Sequence, residues 1–150
     1  MAVDTRVIER TITIQAPPET VFRLLTDPTE YVRWKGRLAQ LEAKPGGVFH
    51  VEFADPASIA SGRYVEVVPG RRVVFTWGWE GNAMVPPGSS TVEIDLEPSA
   101  GGTRLRLVHR GLPEEGVQSH ADGWDLFLAR LGDVAEGRPA REPANAEAKS

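Results

Sequence analysis

Between residues 37 and 109 the chain is a succession of short alternating segments separated by turn signals, and this restricts its fold more than any other feature. Candidate strands are 37–43, 47–54, 61–68, 71–79, 90–97 and 102–109. The separators are Pro45-Gly46-Gly47, Pro69-Gly70, Pro86-Pro87-Gly88 and Gly101-Gly102, all turn-forming. Connectors this short join neighbouring antiparallel strands, so the segment predicts a meander. Alternation puts Phe49, Val51 and Phe53 on one face, as it does Val73, Phe75, Trp77 and Trp79, then Val92, Ile94 and Leu96, then Leu105, Leu107 and His109. The opposite positions hold mainly His50, Glu52, Arg72, Thr76, Glu93, Asp95, Glu97, Arg104, Arg106 and Arg110. A sheet with one apolar and one wet face is covered on one side only.

The flanking segments supply the cover. Residues 6–15 alternate, with Ile8, Ile12 and Ile14 on one face, and predict a further strand. Pro17 and Pro18 end it and open a helix with the stripe Val21, Phe22, Leu24 and Leu25. Asp27-Pro28-Thr29-Glu30 has the spacing of a second helix start, with Asp27 as cap. That helix is short and carries Tyr31 and Trp34. A long helix over 113–135 follows Gly111-Leu112-Pro113, with Val117, Trp124, Leu128, Leu131 and Ala135 recurring at helical spacing and Phe127 widening the stripe. The order is β-α-α-β6-α, an α+β domain in which a curved antiparallel sheet wraps around the long C-terminal helix. The domain is expected to span 1–137, and 138–150, without a large apolar residue, to be a disordered tail.

Composition narrows the function classes. A formal net charge of −4 gives no basic face for nucleic acid or an anionic membrane, so neither partner is expected. The chain has no cysteine, which removes disulfides and thiolate chemistry and suits a cytoplasmic setting. The N-terminus shows no apolar leader, and no run approaches the ~20 residues of a membrane helix. Three histidines without ligand spacing predict no metal site. No serine sits in a GxSxG turn, and no glycine pair links a strand to a helix as a phosphate loop does, so no cofactor is expected.

The stretches "IQAPPETVFRLLTDPTEYVRWKG" (14–36), "GGVFHVEF" (46–53), "GRYVEVVPGRRVVFTWGWEG" (62–81), "STVEIDLEPSAGGTRLRLVHRGLP" (90–113) and "HADGWDLFLARL" (120–131), in this order, resemble the helix-grip proteins of the START-like (Bet v 1-like, SRPBCC) superfamily. The similarity is closest to the group related to the C-terminal domain of the activator of Hsp90 ATPase. The resemblance implies a cavity between sheet and C-terminal helix for a small hydrophobic or amphipathic molecule.

On that reading the ligand-binding residues are Trp34, Phe49, Trp77, Trp79, Met84, His109, His120, Trp124, Phe127 and Leu128. The tryptophans would wall the cavity. His109 and His120 would meet a polar group, and Met84 in the connector 81–87 would form an adaptable lip. A filled aromatic core is the alternative for the tryptophans. Three functions follow: a non-enzymatic binder, a cyclase- or hydratase-type enzyme using a cavity histidine with no catalytic residue assigned, or a chaperone-linked interaction module. Free sheet edges also make a homodimer an expected form.

Overall fold

A computed structural model describes residues 7–54 and 57–141. Strand β1 (Ile8–Ile14) leads into helix α1 (Pro18–Thr26) and the single-turn α2 (Pro28–Tyr31). The meander follows: β2 (Leu38–Leu41), β3 (Val48–Ala54), β4 (Ala57–Val68), β5 (Arg72–Trp77), β6 (Ser90–Ser99) and β7 (Gly102–Arg110). The chain then enters α3 (Glu114–Ala135). The strands form one antiparallel sheet in the order β1-β7-β6-β5-β4-β3-β2. The sequence therefore predicts the architecture correctly, a helix-grip α+β fold. Helices α1 and α2 carry the chain from one edge strand, β1, to the other, β2, and the meander brings it back.

Long β4 gives the sheet its curl. Its first half, through Arg63, pairs with β3, while Tyr64–Val68 pairs with β5, with a bulge between Tyr64 and Glu66. A bulge adds local twist and bends its strand. Gly62 lies at the crossing, where a Cβ would stand 2.0 Å from the carbonyl oxygen of Thr76. The sequence predicts β4 from residue 61 only. Its first residues lack alternation and are held by partners on both sides, as Ser61 donates to the Gly78 carbonyl and the Glu80 amide to that of Ile59.

The faces follow the alternation. Phe49, Val51, Val73, Phe75, Trp77, Val92, Ile94, Leu96, Leu105, Leu107 and His109 are all buried under α3 and the small helices. The outer face is laced with ion pairs, Arg72 to Glu66, Glu93 and Asp95, and Arg110 to Glu93. Val74 and Val108 on that face are buried as well, on either side of Glu93 in the pairing register, where arginine stems can cover them.

Three connections set the position of the turn after α2. The Asp27 carboxylate accepts from the amides of Thr29 and Glu30 at 2.9 and 3.2 Å, capping α2. Trp34 Nε1 donates to the carbonyl of Leu24 at 2.7 Å, satisfying one of the open carbonyls at the end of α1. From the other side, Arg130 of α3 donates to the Trp34 carbonyl at 3.0 Å. Past Gly137, the first four residues of the expected tail fold back on α3. Buried Asp133 accepts from Arg138 and Arg141, whose guanidinium groups hold its carboxyl well below the usual range. The remainder of the expected tail lies outside the described residues.

Asp27→Ala is expected to cost about 1 kcal/mol in a urea unfolding titration. Since α2 carries no other side-chain cap, an unchanged midpoint would contradict this account of its start.

Candidate functional site

The space between sheet and helix is solid at one end and open at the other. At the solid end Phe49 stacks on Phe75 with ring centres 4.2 Å apart, and Tyr31, Tyr64 and Trp77 pack around Phe49 at 5.9–6.2 Å. At the open end, the tips of β3 and β4, the segment 79–85 and the N-terminal half of α3 surround a cleft of about 720 Å³. Its apolar walls are Phe53, Trp77, Trp79, Met84, Val85, Trp124 and Phe127. Gly116 and Gly123 put bare helix backbone against it, and a Cβ on Gly123 would meet nothing within 4 Å. Gly78 lets the lip close on the sheet, because a Cβ there would stand 1.8 Å from the Pro86 carbonyl oxygen. Trp79 donates across the lip to the Val85 carbonyl at 2.7 Å, so Trp79 belongs to the lip and not to β5, which ends at Trp77.

Six of the ten residues expected to bind ligand line this cleft: Trp77, Trp79, Met84, His120, Trp124 and Phe127. Four do not. Trp34 and Phe49 are fully buried in the solid end. Leu128 is buried one turn beyond Trp124, on the part of α3 that packs toward β1. His109 is inward-facing but fully buried, bonded to Trp124 and Ser90. His50, read as a wet-face residue, sits half-buried beside Glu52 and near Glu80.

The two histidines are fixed by indoles. Trp124 Nε1 donates to His109 Nδ1 at 3.0 Å, and Trp79 Nε1 donates to His120 Nε2 at 2.9 Å. An indole nitrogen is a donor only, so each accepting ring nitrogen is unprotonated and each ring is neutral. The proton of His109 therefore sits on Nε2 and is donated to Ser90 Oγ at 2.8 Å; Ser90 in turn donates to the Trp77 carbonyl. The proton of His120 sits on Nδ1 and is donated to the Gly116 carbonyl at 2.8 Å. All four ring nitrogens are thus engaged. Burial, with His120 and Lys35 nearby, lowers the His109 pKa to about 3. Burial likewise lowers that of His120, against the opposing pull of the Gly116 carbonyl.

Sequence reasoning missed Lys35. It lies one residue before the turn glycine Gly36 (φ 77°), where a lysine ordinarily reads as solvated. Here it is 3% exposed and lines the cleft. Its Nζ stands 3.9 Å from the ring centre of Trp124, 4.2 Å from that of Trp77 and 5.3 Å from that of Phe127. Among the described residues no carboxylate lies within ion-pair distance of it. Ring contacts are worth about 2 kcal/mol when desolvated, and burying an ion costs several kcal/mol. Burial accordingly pushes the Lys35 amine well below its ordinary value. Trp77 Nε1, also buried at this point, has no hydrogen-bond partner. Glu80, Asn82, Glu115 and Ser119 add polar groups around the cleft.

A second concavity of about 700 Å³ lies on the outer face of the sheet. Three of its four arginines are already paired, Arg72 with Asp95, Arg104 with Glu97 and Arg106 with Glu9, and the fourth, Arg71, is exposed. Among the described residues no three His, Asp or Glu side chains form a metal-ligand set, and no helix is long and apolar enough to cross a membrane.

The family model described as "Activator of Hsp90 ATPase homolog 1-like protein" matches residues 15–136. No curated protein matches the chain. Among solved structures, an AHSA1-like protein from Rhizobium etli is 44% identical with a TM-score of 0.70, the match covering 92% of this chain and 87% of that one. DynU16, a protein of the dynemicin biosynthetic locus, is 26% identical with a TM-score of 0.77; the match covers 91% of this chain and 50% of that one. The Aha1 dimer from Colwellia psychrerythraea is 19% identical, with a TM-score of 0.75 and 87% and 96% of the two chains covered; it shares the fold.

Two outcomes follow from these buried bases. Burial holds the folded-state pKa of His109 at about 3, below the ordinary histidine value of 6.5. Its contribution to stability is therefore complete above pH 6.5 and is lost as pH falls toward 3, by up to about 1.4 kcal/mol per pH unit. Urea midpoints measured across that range are expected to show this slope in the wild type and a shallower one in His109→Leu. For Lys35 the sign favours replacement: Lys35→Met removes an unpaired buried amine and is expected to raise Tm, by roughly 2–4 °C per kcal/mol recovered. A lower Tm would mean that the aromatic cage stabilises the ammonium more than burial penalises it.

Proposed function

The chain belongs to the activator of Hsp90 ATPase homologue 1-like family, within the START-like superfamily, and from that footing we propose that it binds a small hydrophobic or amphipathic molecule in the cleft between the lip 79–85 and α3. The observation that carries this reading is the cleft itself. It has about 720 Å³ of space, walls of Trp77, Trp79, Trp124, Phe53 and Phe127, and a few polar groups among them. Small-molecule sites have this size and make-up, roughly 300–1,000 Å³ of mainly apolar and aromatic lining with few polar groups. The solid end of the domain leaves no comparable space. The likeness to DynU16, a protein of the dynemicin biosynthetic locus, supports the same reading.

The histidine geometry weighs against acid–base catalysis as the first reading. A cyclase or hydratase step through His109 or His120 has first to break an indole–imidazole bond or a bond to Ser90 or Gly116. The interaction-module reading expects a contiguous apolar surface. Among the described residues the exposed large apolar ones are Leu38 on β2, Val65 and Val68 on β4, and Met84 in the lip, three different segments. A cytoplasmic location and self-association through sheet edges are part of the same proposal, and native mass spectrometry reads the second directly.

Gly123 supplies the test. Because open space lies beyond its Cα, Gly123→Phe should plug the cleft without moving the backbone. It should also favour the helix, since glycine costs about 1 kcal/mol there. Phenylnaphthylamine fluorescence is expected to rise on addition to the wild type and to stay flat with the folded Gly123→Phe variant. Native mass spectra should agree, with any co-purified ligand lost from the variant. Equal binding by both proteins would put the ligand elsewhere.

A further inference from the structure

Resting on the proposed cleft, we infer that its ligand is an organic acid: a flat apolar body between Trp77, Trp79, Trp124 and Phe127, with an anionic group, a carboxylate in the simplest case, on Lys35 Nζ. Three observations meet at this atom. Lys35 is buried and lines the cleft. Its neighbours are the aromatic rings of the cleft wall at 3.9–5.3 Å. No carboxylate of the described residues pairs with it, although acidic side chains engage arginines across the rest of the surface. Buried cationic groups are ordinarily paired, because an unpaired one forfeits its hydration without return. An anion brought by the ligand completes this pair and restores the proton that burial disfavours. The other bases near the cleft cannot do the same: His109 and His120 are neutral and fully bonded.

The two carboxylates around the cleft, Glu80 and Glu115, do not reverse this choice. Both are exposed, so water and salt screen their repulsion within about 10 Å. Lys35 is desolvated, and an ion pair there is screened much less. A charge-assisted hydrogen bond in such a site is worth roughly a 10- to 100-fold change in affinity.

The test compares two probes of one shape, naphthoate and naphthylmethanol, as competitors of bound phenylnaphthylamine. An apolar cleft without a cation favours the alcohol, because the carboxylate must shed more hydration. With Lys35 engaged, the wild type is expected to prefer naphthoate by about 10-fold or more, and Lys35→Met to reverse the order while still binding phenylnaphthylamine. The wild-type comparison stands whether or not the variant folds. Preference of the wild type for the alcohol overturns the inference, as does an unchanged acid preference in Lys35→Met. Failure of phenylnaphthylamine to bind the wild type at all overturns the cleft reading first and this one with it.

Discussion

The hydrogen bond from Trp124 to His109 sets how α3 sits on the sheet. Because the indole can only donate, the imidazole must stay neutral with its proton on the far nitrogen, and that proton commits Ser90, which commits the Trp77 carbonyl. A helix residue, a residue of β7, one of β6 and one of β5 are thereby joined in a single buried chain. The helix cannot slide or roll without breaking a bond that has no water to replace it. On one side of this chain the rings of Phe49, Phe75, Tyr31 and Trp34 fill the interior; on the other, Trp79, Phe53 and Phe127 stand around empty space.

The same chain shows what the sequence discloses and what it withholds. Alternation fixes which way a strand residue points, and every inward position from Phe49 to His109 is inward in the structure. It carries no information on how far along the strand the interior stops being full. By alternation Phe49 and Trp77 are equivalent cleft candidates, and only the packing of Tyr31 of α2 against Phe49 of β3 separates them. Trp34 faces the interior as well, yet its indole is taken by the end of α1. For Lys35 no local signal exists. Its burial depends on α3, nearly a hundred residues later, pinning the Trp34 carbonyl through Arg130 and laying Trp124 and Phe127 over the amine.

Polar satisfaction is uneven across the molecule. Asp133, Thr103, Ser90 and His109 are buried with their bonds made. The Lys35 amine, without an ion-pair partner, and the unpartnered Trp77 N–H sit together at the cleft, while the buried Tyr64 hydroxyl lacks a partner in the solid end. The pair at the cleft fits the proposed ligand site, and the Tyr64 hydroxyl shows that an unmet buried group also occurs away from it.

Glycines at 116 and 123 give α3 a bare strip where it borders the cleft. Each makes the helix less stable than alanine would, so thermostability alone would favour filling the strip and closing the cleft. Conversely, a substitution at Gly123, whose Cβ would meet nothing within 4 Å, can resize the cleft without moving the sheet, the lip or the Trp124–His109 bond. The shape of the cleft can thus diverge by single steps while the scaffold stays constant, a route by which closely similar domains come to differ in what the space admits.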